Sequence, residues 1–332
     1  MYFVVSQYIV AVFVLTFLIS FLLMPSWIKK IKKAGLTGSD VHKLDKKPVS
    51  EMGGVMVLLS FIIGTILYVA VRIFVYKSNQ NITFILAMLT AVLIAGIIGI
   101  IDDVLGWKIG LRQYQKPLLT LLVAAPIVAV DAGTRIMHFP FFGAVDLGII
   151  YPLIIIPILI LFGTNSFNMI AGYNGLEAGQ GIIILGAISI ISYLQGVSWV
   201  SVIALCMIAS LLGFWIYNRY PSKIFPGDTL TYSVGALSAT LMIFADLEKF
   251  FLILFIPYFI EFLLKLRGKF QKESFSNIKD NNTLSLRYDK IYGLEHLAIF
   301  VLNKIKFKAT EKKVVYSIHG LQLVFVFLAL VI

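Results

Sequence analysis

Ten long apolar runs leave this 332-residue chain almost no choice of architecture. They cover residues 4–25, 53–75, 83–101, 117–131, 149–164, 181–195, 199–217, 229–245, 250–265 and 313–332. A helical crossing of a bilayer takes about 20 apolar residues. Inside hydrocarbon every backbone N–H and C=O must find its partner within the protein, which leaves helices or closed barrels. Runs of this length predict an all-α integral membrane protein with about ten transmembrane helices. The breaks around Pro152, Pro157 and Pro257 are tolerable where neighbouring helices satisfy the freed carbonyls. With 59% hydrophobic and 14% charged residues and a mean hydropathy of +0.93, a soluble domain is excluded. Residues 1–332 form one polytopic domain. The first run is followed by Pro25 and Lys29 and lacks a basic leading segment, so it reads as a span and not as a cleavable signal.

The basic residues orient these spans. All but four of the 28 lysines and arginines (Arg72, Lys77, Arg135 and Lys249) lie in odd-numbered loops. Those loops are therefore expected in the cytoplasm, with both termini outside. The formal charge of +11 is distributed between apolar runs, which points to anionic lipid and anionic substrate and away from nucleic acid. Cys206 is the single cysteine and sits in an apolar run, which removes disulfides and cysteine-rich metal sites. The ninth loop, 266–312, alone has room for structure of its own. Leu294, Leu297, Ala298, Val301, Leu302 and Ile305 recur at helical spacing before Lys304, Lys306 and Lys308, as in an amphipathic helix on a lipid surface. Residues 277–288 have the pattern of a small hairpin.

Three polar groups fall on the cytoplasmic side of this reading. Asp102 and Asp103 end the third run, followed by Arg112 and Lys116. Adjacent carboxylates repel unless a cation or a shared proton relieves them, which suits a metal site or a base; they could also simply anchor a helix end. Residues 165–181 form a glycine-rich segment with Asn165, Asn168, Asn174 and Glu177 and no lysine or arginine. Small-residue packing explains its glycines but not its asparagines and glutamate, so Asn165, Asn174 and Glu177 are candidates for substrate binding. Asp228 follows Pro226 and Gly227 at the start of the eighth run, where an N-cap is the simplest role. Together the three groups offer oxygen ligands for a hard divalent cation. Lys116 and the 265–272 cluster, with Arg267 and Lys269, offer partners for phosphate. No P-loop, nucleophile elbow, zinc-protease motif or dinucleotide fingerprint is present.

These residues resemble the polyprenyl-phosphate N-acetylhexosamine-1-phosphate transferases, from 48–54 through to the ninth loop. Asp102-Asp103 looks like the family's paired aspartates, and Lys116 like the basic residue after them that binds the donor diphosphate. The 165–181 segment is the most specific match, and its wording is similar to the archaeal and eukaryotic dolichyl-phosphate branch. The resemblance implies Asn168 and Asp228 as ligands of Mg2+, with Mn2+ as a substitute. It implies Asp102, Asp103 and Lys116 as the catalytic groups, and Arg267 and Lys269 as phosphate contacts. Where the family's basic motif usually holds histidine, this chain has Gly268.

The implied reaction moves N-acetylglucosamine 1-phosphate from UDP-N-acetylglucosamine to dolichyl or polyprenyl phosphate and releases UMP. It is the first step of lipid-linked oligosaccharide assembly for N-glycosylation. The expected setting is the plasma membrane of an archaeon, with cytoplasmic active-site loops, a homodimer permitted and no nucleic acid partner. A phospho-N-acetylmuramoyl-pentapeptide transferase is the near alternative. A transporter is the distant one, disfavoured because the polar groups sit at helix ends and no internal repeat is found.

Overall fold

The structure is a computed structural model that describes residues 7–139, 143–279 and 281–331. Residues 4–6 and 332 of the outer apolar runs, and Asp280 of the 277–288 segment, lie outside them. Helix α1 (Gln7–Lys33) leads into a ribbon in which β1 (Thr37–Ser39) runs antiparallel to β2 (Pro48–Ser50). Helix α2 (Gly54–Ala70) continues through a π-helical turn to Val75. Helix α3 (Ile82–Ile109) leaves helical geometry at Gly106, just beyond Asp103. The fourth apolar run is one bent element: α4 (Gln115–Thr120), a 3-10 turn and α5 (Ala125–Ala129), with Pro126 in a first turn where no N–H is required.

After the β3 (Ile136–Phe139) and β4 (Gly143–Asp146) ribbon, a π-helical turn enters α6 (Ile156–Phe167). Pro152 and Pro157 occupy the first turns of those two elements. Next come α7 (Leu176–Leu194), α8 (Ser198–Asn218) and α9 (Gly227–Phe244). Pro257 opens α11 (Ile256–Arg267) and separates it from α10 (Glu248–Leu254). A short antiparallel pair, β5 (Asn277–Ile278) with β6 (Leu284–Ser285), precedes α12 (Leu294–Lys304) and α13 (Glu311–Val331).

The described parts of all ten apolar runs are thus largely helical. Among the described residues six helices are long and apolar enough to cross a membrane: α1, α2 with its π turn, α3 to Gly106, α7, α8 and α13. Most of the others are short or broken. Helix α9 has the length, but its threonines and serines make it too polar to face lipid. It does not need to, because every residue from Thr229 to Ile243 is buried. Some of its hydroxyls bond back to the helix: Ser238 donates to the Val234 carbonyl and Thr240 to that of Ala236. Helix α9 is the axis of the bundle, packed against α3 and α6 and flanked by α2, α7 and α8. Helices α1 and α13 lie at the perimeter, with 28% of their apolar windows buried against 72% for α7 and α8.

Close approach of backbones sets where α9 starts. A Cβ on Gly99 of α3 would stand 2.5 Å from the backbone N and Cα of Thr229, and one on Gly54 of α2 would stand 2.3 Å from the Leu230 N. Backbone cannot move aside as a side-chain tip can, so only glycine lets these helices meet here. The loop before α9 is also tied to the α1–α2 connection. Phe225 N donates to the Ser50 carbonyl at 2.8 Å, Gly53 N to Phe225 at 2.9 Å and Gly54 N to Pro226 at 2.8 Å. Gly99→Val should therefore overpack the α3–α9 crossing. We expect a loss of about 1–3 kcal/mol, read as a lower unfolding midpoint of the purified protein. A midpoint equal to the parent's would show that the two helices are not in contact at this point.

Candidate active site

Asp103 is the joint between α3 and α9. Its Oδ1 accepts from the Asp228 N–H at 2.7 Å, and its Oδ2 accepts from the Thr229 N–H at 3.1 Å and the Thr229 hydroxyl at 2.6 Å. The first N–H groups of a helix have no partners inside it, and that end carries partial positive charge. The α9 residue in the N-cap position is Pro226, which provides no side-chain cap. Asp103 fulfils that role from another helix. Gly227 makes room for it: its φ of +73° is strained for other residues, and a Cβ there would lie 2.5 Å from the Asp103 carboxylate. The capping role considered for Asp228 thus belongs to Asp103, and the Asp228 side chain is free for other work.

That side chain meets Lys116. The Lys116 ammonium donates to Asp102 Oδ2 at 2.6 Å and to Asp228 Oδ2 at 2.8 Å, so one cation bridges acids from two helices. Asp102 is steadied further by the Leu111 N–H, which donates to its Oδ1 at 2.7 Å. Tyr232, one turn after Asp228 on α9, places its ring 6.0 Å from the Lys116 ammonium, and its hydroxyl lies beside the Asn168 carboxamide. Asn168 ends α6. Asp102, Asp103, Lys116, Asn168 and Asp228, separated by up to 126 positions in the chain, therefore come together at one end of the bundle.

The half-buried Glu51, in the loop after β2, joins this group. Burial pushes its carboxyl above the ordinary carboxylate range, and the nearby Asp103 charge pushes it further. The 265–272 segment is tied to the loop before Lys116, where the Gln113 side-chain amide donates to the Phe270 carbonyl at 2.8 Å. Arg267 and Lys269 are exposed on that segment, the Arg267 guanidinium 5.9 Å from the Tyr292 ring centre.

The other three candidates are turned toward the protein. Asn165 donates to the Thr120 hydroxyl at 2.7 Å and the Leu161 carbonyl at 2.8 Å, tying α6 to the helix that carries Lys116. Glu177 is buried, and its Oε1 accepts from the Gly172 N–H at 2.8 Å, closing the 168–176 loop. Asn174 is buried in a second polar cluster. Its side chain donates to Asp40 Oδ2 at 2.9 Å and its N–H to Glu311 Oε1 at 2.8 Å. Lys43 pairs with Asp40 at 2.6 Å, and His42 stacks on Tyr173 with 4.1 Å between ring centres. These contacts position the asparagine-rich loop and leave its Asn168 end facing the acids.

Residues 84–246 match glycosyl transferase family 4. A Saccharolobus solfataricus protein provisionally named UDP-N-acetylglucosamine–dolichyl-phosphate N-acetylglucosaminephosphotransferase is 32% identical across 96% of this chain and 94% of its own length. This chain belongs to glycosyl transferase family 4. A Dictyostelium discoideum member carrying the same enzyme name is 30% identical over 74% of this chain and 68% of its own. A Geobacillus kaustophilus phospho-N-acetylmuramoyl-pentapeptide-transferase is 30% identical over 78% of this chain and 82% of its own. The resemblance drawn from the aspartate pair and the 165–181 segment therefore holds for this family 4 member.

Sequence reasoning missed Glu51, Tyr232 and the Asp40–His42–Glu311 cluster. Tyr232 was readable, since it stands four residues after Asp228 on the same helical face. His42 and Glu311 are 269 positions apart and meet only in the fold. Burial pushes the His42 imidazole down from 6.5 to about 4, outweighing the opposite pull of Asp40. As pH falls the unfolded chain takes up that proton first, so the stability tied to neutral His42 is complete above about 6.5. It is lost progressively down to about 4, at about 1.4 kcal/mol for each tenfold rise in proton concentration. Between pH ~7.5 and ~5 the parent protein should lose more of its unfolding midpoint than His42→Gln does. Parallel losses in both proteins would remove His42 as the source.

Proposed function

We propose that this chain transfers N-acetylglucosamine 1-phosphate from UDP-N-acetylglucosamine to dolichyl or polyprenyl phosphate, releasing UMP. The observation that carries the reading is the Lys116 bridge between Asp102 and Asp228, beside Asn168, with Arg267 and Lys269 exposed on a segment tied to the loop before Lys116. It combines hard oxygen donors with cations suited to a diphosphate. The S. solfataricus and D. discoideum relatives carry the name of this activity. The active site faces the cytoplasm of an archaeal cell, both termini lie outside, and a homodimer is compatible with the arrangement. The product then starts lipid-linked oligosaccharide assembly for N-glycosylation.

An oxygen of the lipid phosphate forms the new bond to the sugar-bearing phosphorus. The bond from that phosphorus to the bridging oxygen breaks, and its electron pair leaves on UMP. The lipid phosphate is ionised at neutral pH, its second pKa being near 6, so no carboxylate has to remove a proton first. Positioning and charge neutralisation are the main requirements of such a transfer. Lys116, released from part of its acid pairing, donates to the diphosphate, while Arg267 and Lys269 gather it from their exposed segment. Asp103 is a positioning residue, because its oxygens hold the start of α9. The donor set of Asp228, Asn168 and Asp102 fits Mg2+ or Mn2+: two carboxylates and a carboxamide, all oxygen ligands. When bound there, the ion supplies further neutralisation of the diphosphate.

Purified protein given UDP-N-acetylglucosamine and dolichyl phosphate should release UMP. Release of UDP would mean glycosyl transfer, and turnover only with UDP-N-acetylmuramoyl-pentapeptide would favour the bacterial-type reaction. Asp228→Asn keeps the shape and removes the charge. It should fold normally and lose about 10²-fold or more in rate, the scale of a principal electrostatic contact. Near-parent turnover with unchanged Mg2+ dependence would remove Asp228 from the site.

Orientation is tested separately with cysteines at exposed positions after Cys206 is replaced. Ser39→Cys and Asn277→Cys should resist an impermeant reagent on intact cells, while Asn79→Cys should react. Labelling at 39 or 277 would invert the topology.

A further inference from the structure

A cationic pocket of about 390 Å3 lies between the ends of α7, α8 and α13, lined on one side by Asn174 and Gly175 and by none of Asp102, Asp103, Lys116, Asn168 and Asp228. Arg219, Lys223 and Lys312 line it together with Trp215, Tyr220 and Tyr316. The three cations are exposed, and among the described residues none has a carboxylate oxygen within 4.0 Å. Aromatic faces hold two of them instead. The Arg219 guanidinium lies 5.6 Å from the Trp215 ring, and the Lys312 ammonium 5.0 Å from that of Tyr220. The same Tyr220 ring has Lys43 at 5.3 Å on a further approach, but Lys43 is committed to Asp40. The acid nearest in sequence, Glu311, is buried and its Oε1 is taken by the Asn174 N–H. Three uncompensated positive charges around one concavity call for an anion.

Where the pocket opens says which anion. Helix α13 is a perimeter helix, and Tyr316 on it is 63% exposed, so this wall faces the surrounding lipid. Tryptophan and tyrosine beside arginine and lysine at a helix end mark the level of lipid head groups. Basic pockets between spanning helices are suited to those groups. The volume falls in the range of small-molecule sites. We infer that this pocket binds a phosphate-bearing anion, the head group of an anionic membrane phospholipid, which enters sideways from the bilayer. The planar guanidinium of Arg219 gives paired hydrogen bonds to phosphate oxygens, while Lys223 and Lys312 act as point charges. The segment from Arg219 to Pro226 runs directly into α9, so the bound head group also steadies the approach to Asp228.

The test uses the full-length protein, delipidated in neutral detergent, with binding read by native mass spectrometry and by the unfolding midpoint. Phosphatidylglycerol should remain bound and raise the midpoint, phosphatidylcholine of the same chain length should not, and millimolar inorganic phosphate should have no effect. Arg219→Gln combined with Lys312→Gln should weaken phosphatidylglycerol binding about tenfold or more. Lys312→Gln alone, at an exposed position, should show a smaller loss in the same direction if the double variant folds poorly. Equal binding of phosphatidylglycerol by parent and variants, or equal binding of phosphatidylcholine, would overturn the site. A saturable, variant-sensitive response to inorganic phosphate without one to phosphatidylglycerol would overturn the lipid assignment and leave a site for a soluble anion.

Discussion

The hydrogen bonds from the first turn of α9 to the Asp103 carboxylate are the constraint on which the rest of this molecule depends. A helix buried from Thr229 to Ile243 needs partners for the leading N–H groups that it cannot satisfy within itself. Proline and glycine at the start of α9 supply no cap, so the cap has to come from a neighbour. Taking it from α3 fixes how far the two helices slide past one another. That register is also the one that sets Gly99 against Thr229.

The arrangement of the candidate site follows from that register. With Asp103 committed to α9, its neighbour Asp102 points elsewhere on α3 and reaches Lys116. Asp228, fixed one residue into α9, reaches the same ammonium and lies beside Asp102. Two carboxylates so close would repel strongly in a weakly polarisable surrounding, and a shared cation is the least costly relief. With both acids ionised, the one ammonium they share leaves this pair with a surplus of negative charge.

The secondary cluster shows a different use of polar groups near lipid. Asn174, Asp40, Lys43, His42 and Glu311 pair with one another across the α1–α2 connection, the 168–176 loop and the start of α13. None of these bonds is spent on Asp102, Asp103 or Asp228. Their effect is to pin the asparagine-rich loop from behind so that Asn168, and not Asn174, is presented forward. Asn165 and Glu177 act in the same sense from either side of that loop.

Hydropathy and charge alone determined that this chain is a bundle of apolar helices and marked its polar residues as the place to look. Lipid imposes a length and a composition on each span, and both are local properties that a sequence displays directly. The 165–181 wording carried the family in the same way. Which member of a polar pair does which job was decided only by the tertiary structure. Asp102 and Asp103 are chemically identical neighbours, and nothing local distinguishes a carboxylate that caps a distant helix from one that meets a lysine. The same holds for Asn168 and Asn174, and for His42 meeting Glu311. Hydrogen bonds act over about 3 Å, so their partners are set by how the helices pack and not by their order along the chain.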